Sequence, residues 1–121
     1  MTRNWELIRK ILLEVEKEPA GGGPIYRFKY EDVSPEEIGE HVDLLIKSGY
    51  LEGSVQTDEK NRISRYLVFR LTWAGHDFIG VAKNAAPWKT VTTQVAEKGL
   101  NVTIDMLKEL LIRATASALG L

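Results

Sequence analysis

Five basic residues, in two places, form the charge pattern with the clearest chemical meaning. Lys60, Arg62 and Arg65 lie in or beside the polar run TDEKNR, between two stretches that read as strands. Arg27 and Lys29 alternate with Tyr26, Phe28 and Tyr30 in a third such stretch. Lysine and arginine held on a hairpin neutralise phosphates, and a basic wing can also enter a minor groove. From Ser54 to Leu71, four bases stand against two acids, a net of +2. The same charges also suit an ordinary solvated hairpin, where they discourage edge-to-edge pairing. Tyr26, Phe28 and Tyr30 match a base-stacking platform in type. Their alternation fits the inner face of a small sheet better.

The most acidic stretch has the opposite character. Ser34 to Gly53 holds Glu36, Glu37, Glu40, Asp43 and Glu52 against Lys47 alone, a net of −4. A helix entering a major groove must approach closely spaced phosphates, so four carboxylates on its exposed side are a barrier. Glu36, Glu40, Asp43 and Lys47 therefore suggest a surface for a basic protein partner instead. Catalytic signals are lacking. The two histidines, His41 and His76, have no metal-ligand spacing, there is no cysteine, and no nucleophile or phosphate-loop motif occurs. No catalytic, cofactor-binding or metal-ligating set is expected, and the chain reads as a protein other than an enzyme.

Helices and strands must position these groups. Ser34 to Gly53, SPEEIGEHVDLLIKSGYLEG, carries the clearest helix. Ser34 suits the N-cap, Pro35 the first helical position, and Glu37 the far corner of a capping box. Ile38, Val42, Leu45 and Ile46 share a face, and Gly49 followed by Tyr50 predicts a Schellman end. An earlier helix is expected over about Asn4–Lys17, with Trp5, Ile8, Ile11, Leu12 and Val15 as its stripe. Ile25–Tyr30 predicts a strand with its aromatic side buried. Leu51–Gln56 and Ile63–Leu71 predict a hairpin. In the second of these runs neither alternate set is wholly polar, so the buried face stays open. Thr72 can cap a helix from Trp73 to about Lys83, with Phe78, Ile79 and Ala82 inward. Pro87 starts another that stops at Gly99, and a last helix runs over about Thr103–Ala118. Trp5, Trp73 and Trp88 read as core anchors, with Trp88 also placed to face a partner.

Several blocks resemble one known family: NWELIRKILLEVE, SPEEIGEHVDLLIKSGYLEG, LTWAGHDFI and WKTVTTQVAEKG. In order and over nearly the whole chain, they look like the bacterial and phage domain-of-unknown-function family 2513. That resemblance implies a small winged-helix protein and brings no activity, catalytic set or ligand. The shorter LLIKSGYLEG, a wing and LTWAGHDF are also similar to winged-helix transcription factors. One departure stands out. A helix-turn-helix needs a supporting helix before its reader, yet Gly21 to Val33 holds three glycines, a proline and an expected strand.

The expected fold is mainly α with a small antiparallel sheet of three strands (α+β), a winged helix with two additional C-terminal helices. Residues 1–85 would form the winged helix and 86–121 a helical extension packed on it. Within that extension Leu107, Leu111, Ala114 and Ala118 suggest a homodimer face, or a helix folded back on the first. The 121 residues, 44% hydrophobic and 27% charged, fit one globular domain. A net charge of −1 gives no global pull on nucleic acid. The absence of cysteine fits a reducing cytoplasm, and no apolar run suits a membrane. Two functions of different class follow: a transcription regulator that binds double-stranded DNA by gripping phosphates through its wing, and a protein-interaction adaptor using its acidic helix. A wing and first strand forming one basic face would favour the first. An acidic helix dominating an exposed apolar rim would favour the second.

Overall fold

The computed structural model describes residues 2–121. It contains five helices and a two-stranded antiparallel sheet, an α+β protein dominated by helix. In chain order these are α1 (Trp5–Lys17), α2 (Pro35–Lys47), β1 (Leu51–Thr57), β2 (Ile63–Leu71), α3 (Trp73–Ala82), α4 (Ala85–Glu97) and α5 (Ile104–Ala118). The chain divides into two compact units, one reaching to His76 and one over Asp77–Leu121. Among the described residues no helix is long and apolar enough to cross a membrane.

Local chemistry sets the ends of the helices in the first unit. The Asn4 side chain accepts from the Leu7 N–H and starts α1. The Ser34 hydroxyl accepts from the Glu37 N–H at 3.1 Å, and Pro35 opens α2. Gly49 adopts φ +84°, so that the Tyr50 N–H can reach the Leu45 carbonyl and the Gly49 N–H the Ile46 carbonyl. That is the Schellman closure the sequence predicts. Thr72 then locks this end to the next helix. Its hydroxyl donates to the Gly49 carbonyl at 2.6 Å and accepts from the Gly75 N–H at 3.0 Å.

Leu7, Ile8, Ile11, Leu12 and Val15 of α1 are buried, as are Ile38, Val42 and Leu45 of α2 and Val68 and Leu71 of β2. The alternation of β2 is not simple because β2 carries two irregularities. Glu52 faces Arg70 while Gly53 faces Val68, so Phe69 is an extra residue that switches the inward side. Val68 and Leu71 are therefore both buried, while Leu67 and Phe69 are partly exposed. Neither the odd nor the even set describes this strand.

The third strand expected over Ile25–Tyr30 does not form beyond its first residue. Only Ile25 pairs with β2, exchanging two backbone hydrogen bonds of 2.8 Å with Val68. Three residues further on, the Phe28 N–H donates to the Tyr66 hydroxyl. The segment has left the sheet by then and is held by a side chain of β2 rather than by its backbone. No helix intervenes before α2 among the described residues.

In the second unit Thr103 caps α5 by accepting from the Met106 N–H, and Gly99 ends α4 at φ +62°. Phe78 meets Trp88 edge to face at 6.5 Å, and both are buried with Val91, Val95 and Ile104. Of the three tryptophans read as core anchors, only Trp88 is one. Trp73 is 86% exposed on the first turn of α3, because the inward positions of that helix are taken by Phe78, Ile79 and Ala82. Trp5 is half-buried beneath the Arg3 guanidinium, 5.1 Å from its ring centre. Leu107 and Leu111, expected at a dimer face, are fully buried within the chain itself. Ala114 is half-buried and Ala118 exposed.

Candidate functional site

Where the 26–30 segment leaves β2, a cleft of about 760 Å³ opens. It is bounded by that segment, the N-terminal half of α2 and the hairpin formed by β1 and β2. Arg27, Lys29 and Arg65 line it, brought together from two stretches far apart in sequence. All three are exposed, and none forms an ion pair among the described residues. The volume lies within the usual range of ligand sites.

The other two predicted basic residues stand elsewhere. Lys60 and Arg62 occupy the tip of the hairpin and do not line the cleft. Asp58 organises this tip. Its carboxylate accepts from the N–H groups of Lys60 and Arg62 and from the Arg62 side chain, each at 2.9 Å. Those hydrogen bonds, led by the Arg62 N–H, hold the Asp58 carboxyl below the usual aspartate range. Arg62 is thus already neutralised within its own turn.

The acidic surface disperses. Glu36 is exposed and belongs to the cleft lining, whereas Glu40 is half-buried. Asp43 is paired with Lys47 at 3.0 Å. His41 is fully buried, its Nε2 accepting from the Asn4 N–H at 2.9 Å and its Nδ1 donating to the Glu37 carbonyl at 2.8 Å. His76 is exposed, tilted against Trp73 at 6.4 Å between ring centres. No group of three histidine, cysteine, aspartate or glutamate side chains suited to a metal occurs among the described residues.

Aromatic rings form one wall of the cleft. Phe28 lies stacked between Tyr66, at 5.8 Å and 21°, and Tyr30, at 6.4 Å and 14°. Phe28 is buried and both tyrosines are half-buried, while Tyr26 is 74% exposed rather than on an inner sheet face. Ser54, Gln56, Ile63, Ser64, Tyr66 and Leu67 complete the lining on the hairpin side. Sequence reasoning missed these six as site residues. Gln56 faces Arg65 and Ser54 faces Leu67 across the hairpin, because Ser64 is an extra residue that shifts the register beside the turn, and extending the pairing outward from Thr57 and Ile63 without it would have misplaced both pairs.

Tyr30 anchors this wall to α1. Its hydroxyl donates to Glu14 Oε1 at 2.9 Å, and burial first, then the Glu14 carboxylate, raise its pKa far above the ordinary tyrosine value. The folded state therefore favours the neutral phenol. This contribution is complete below the unfolded pKa of about 10 and declines as pH rises above it. Tyr30→Phe is expected to lose about 1 kcal/mol in urea unfolding at neutral pH, a hydrogen bond to a charged acceptor discounted for partial exposure. The deficit should shrink when the same titration is run about one unit above pH 10, as the wild-type phenol ionises on unfolding.

A family model described as Hypothetical protein (DUF2513) matches residues 2–101. The chain belongs to this family. The DUF2513 match takes in every residue of the cleft and stops before α5 begins at Ile104. An uncharacterised protein of Haemophilus influenzae is 31% identical over 110 residues, 90% of this chain and 91% of its own length. No solved structure matches significantly.

Proposed function

We propose that this DUF2513 protein is a winged-helix DNA-binding protein that regulates transcription, gripping phosphates through its wing and the 26–30 segment. The order α1, the Ile25 bridge, α2, β1, β2 and α3 supports the winged-helix reading, with the 26–33 segment standing where a supporting helix would lie. The observation that carries the function is the convergence of Arg27, Lys29 and Arg65 on one open cleft. Three cations without ion-pair partners, against the single carboxylate of Glu36, make a local anion site on a chain whose net charge is −1. Glu36, exposed on the first turn of α2, disfavours that helix as a major-groove reader, so contact falls to the wing side.

Fluorescence anisotropy on labelled DNA over a salt series tests this. Wild-type affinity should fall steeply with salt, and an Arg27→Ala, Lys29→Ala, Arg65→Ala variant should lose about two to three units of the log–log salt slope. A Lys60→Ala, Arg62→Ala variant should lose less, since Arg62 is held by Asp58. Absence of binding at low salt by folded protein would sink the proposal.

A further inference from the structure

We infer that the cleft accepts an unpaired nucleobase, so that the protein prefers single-stranded DNA to duplex; this rests on the phosphate-gripping role of Arg27, Lys29 and Arg65. Proteins that hold single strands combine a basic groove for the backbone with aromatic faces on which successive bases stack. Both halves of that arrangement meet here. Tyr26 lines the cleft and is 74% exposed, although a tyrosine buries well where a sheet or core is available to it. It lies next in sequence to Arg27, and the cleft they share also holds Lys29 and Arg65.

The wall behind is rigid. Phe28 is stacked between Tyr30 and Tyr66, its N–H is held by the Tyr66 hydroxyl, and Tyr30 is tied to Glu14. Ser54 and Gln56 add neutral hydrogen-bonding groups that suit base edges without selecting a charge, while the Ser64 hydroxyl beside them is already given to the Gln56 carbonyl. A duplex keeps its bases stacked inside, out of reach of Tyr26, and must unpair one before it can enter. Two observations turn away from the usual duplex reader as well: α2 presents Glu36 at the cleft, and no helix lies between the Ile25 bridge and α2 among the described residues.

The probe is a labelled oligo(dT) of about eight nucleotides, within the span one basic aromatic site covers, with a mixed-sequence duplex of matched length beside it. Wild-type protein should bind the single strand more tightly than the duplex. Tyr26→Ala should weaken the single strand about tenfold and leave the duplex unchanged, while Tyr26→Phe restores wild-type affinity. Trp73→Ala, an exposed ring outside the cleft, should change neither. If both forms bind equally and Tyr26→Ala alters neither, the base site is wrong and the phosphate grip stands. If neither binds at low salt, the phosphate grip falls and takes the base site with it. Circular dichroism of each variant confirms folding, which Tyr26 at the surface should not disturb.

Discussion

Replacing Gly53 with alanine is expected to lower the stability of the first unit by about 2–4 kcal/mol, in the range of overpacked sites. Gly53 sits in β1 opposite Val68, beside the point where Phe69 bulges from β2. A Cβ built there runs into the carbonyl oxygen of Leu67 and approaches Cδ1 of Ile46 at 3.2 Å. The obstacle is backbone, held in the hairpin ladder, so it cannot turn aside as a side-chain tip would. Relief requires the two strands to separate or α2 to lift from the sheet. Both would disturb the wall on which Ser54 and Leu67 line the cleft. Urea unfolding followed by circular dichroism should show the midpoint fall. Gly80→Ala on α3 makes the comparison, because no atom lies within 4 Å of the added carbon. In a helix that change should be neutral or stabilising by up to about 1 kcal/mol. Equal midpoints for the two variants would remove the steric argument.

The same bulge explains where the sequence was readable. Helix ends were legible because their signals are local: Ser34, Pro35 and Gly49 act within a turn of where they stand, and α2 begins and ends accordingly. The hairpin was legible for the same reason, with β2 running from Ile63 to Leu71 as its pattern predicts. Burial within β2 was not. Two extra residues in one strand change which side faces in, and nothing in the alternation of ISRYLVFRL marks where they fall. The aromatic alternation of Tyr26, Phe28 and Tyr30 was real but misleading. Ile25 alone pairs with β2, and three residues on the Phe28 N–H goes to the Tyr66 hydroxyl, 38 residues away in sequence. That contact is tertiary, and it is what opens the cleft. Charge reading found Arg27, Lys29 and Arg65, since exposure can be guessed from residue type. It did not separate them from Lys60 and Arg62, because only the folded turn shows Asp58 holding Arg62.

His41→Leu is the other substitution with a large expected effect, a loss of about 2–4 kcal/mol, although the volume is nearly kept. The imidazole is fully buried and joins two helices. Nε2 accepts from the backbone N–H of Asn4, the residue that caps α1, and so Nδ1 carries the proton given to the Glu37 carbonyl. Leucine fills the space and offers no acceptor. The Asn4 N–H then stays desolvated without a partner, at about 1–3 kcal/mol, and the packing around a branched chain of different shape adds to it. The Glu37 carbonyl suffers less, because it lies inside α2 and keeps its helical bond. Asn4→Ala separates the two roles of Asn4. It removes the side-chain cap on Leu7 but leaves the backbone N–H on His41, and should cost only about 1 kcal/mol. Amide hydrogen exchange gives the direct readout. In His41→Leu the Asn4 amide should lose protection selectively, while in Asn4→Ala the residue-4 amide keeps it and Leu7 exchanges faster. Unchanged protection of the Asn4 amide in His41→Leu would show that the α1–α2 junction does not depend on this bond. The buried histidine would then be packing alone.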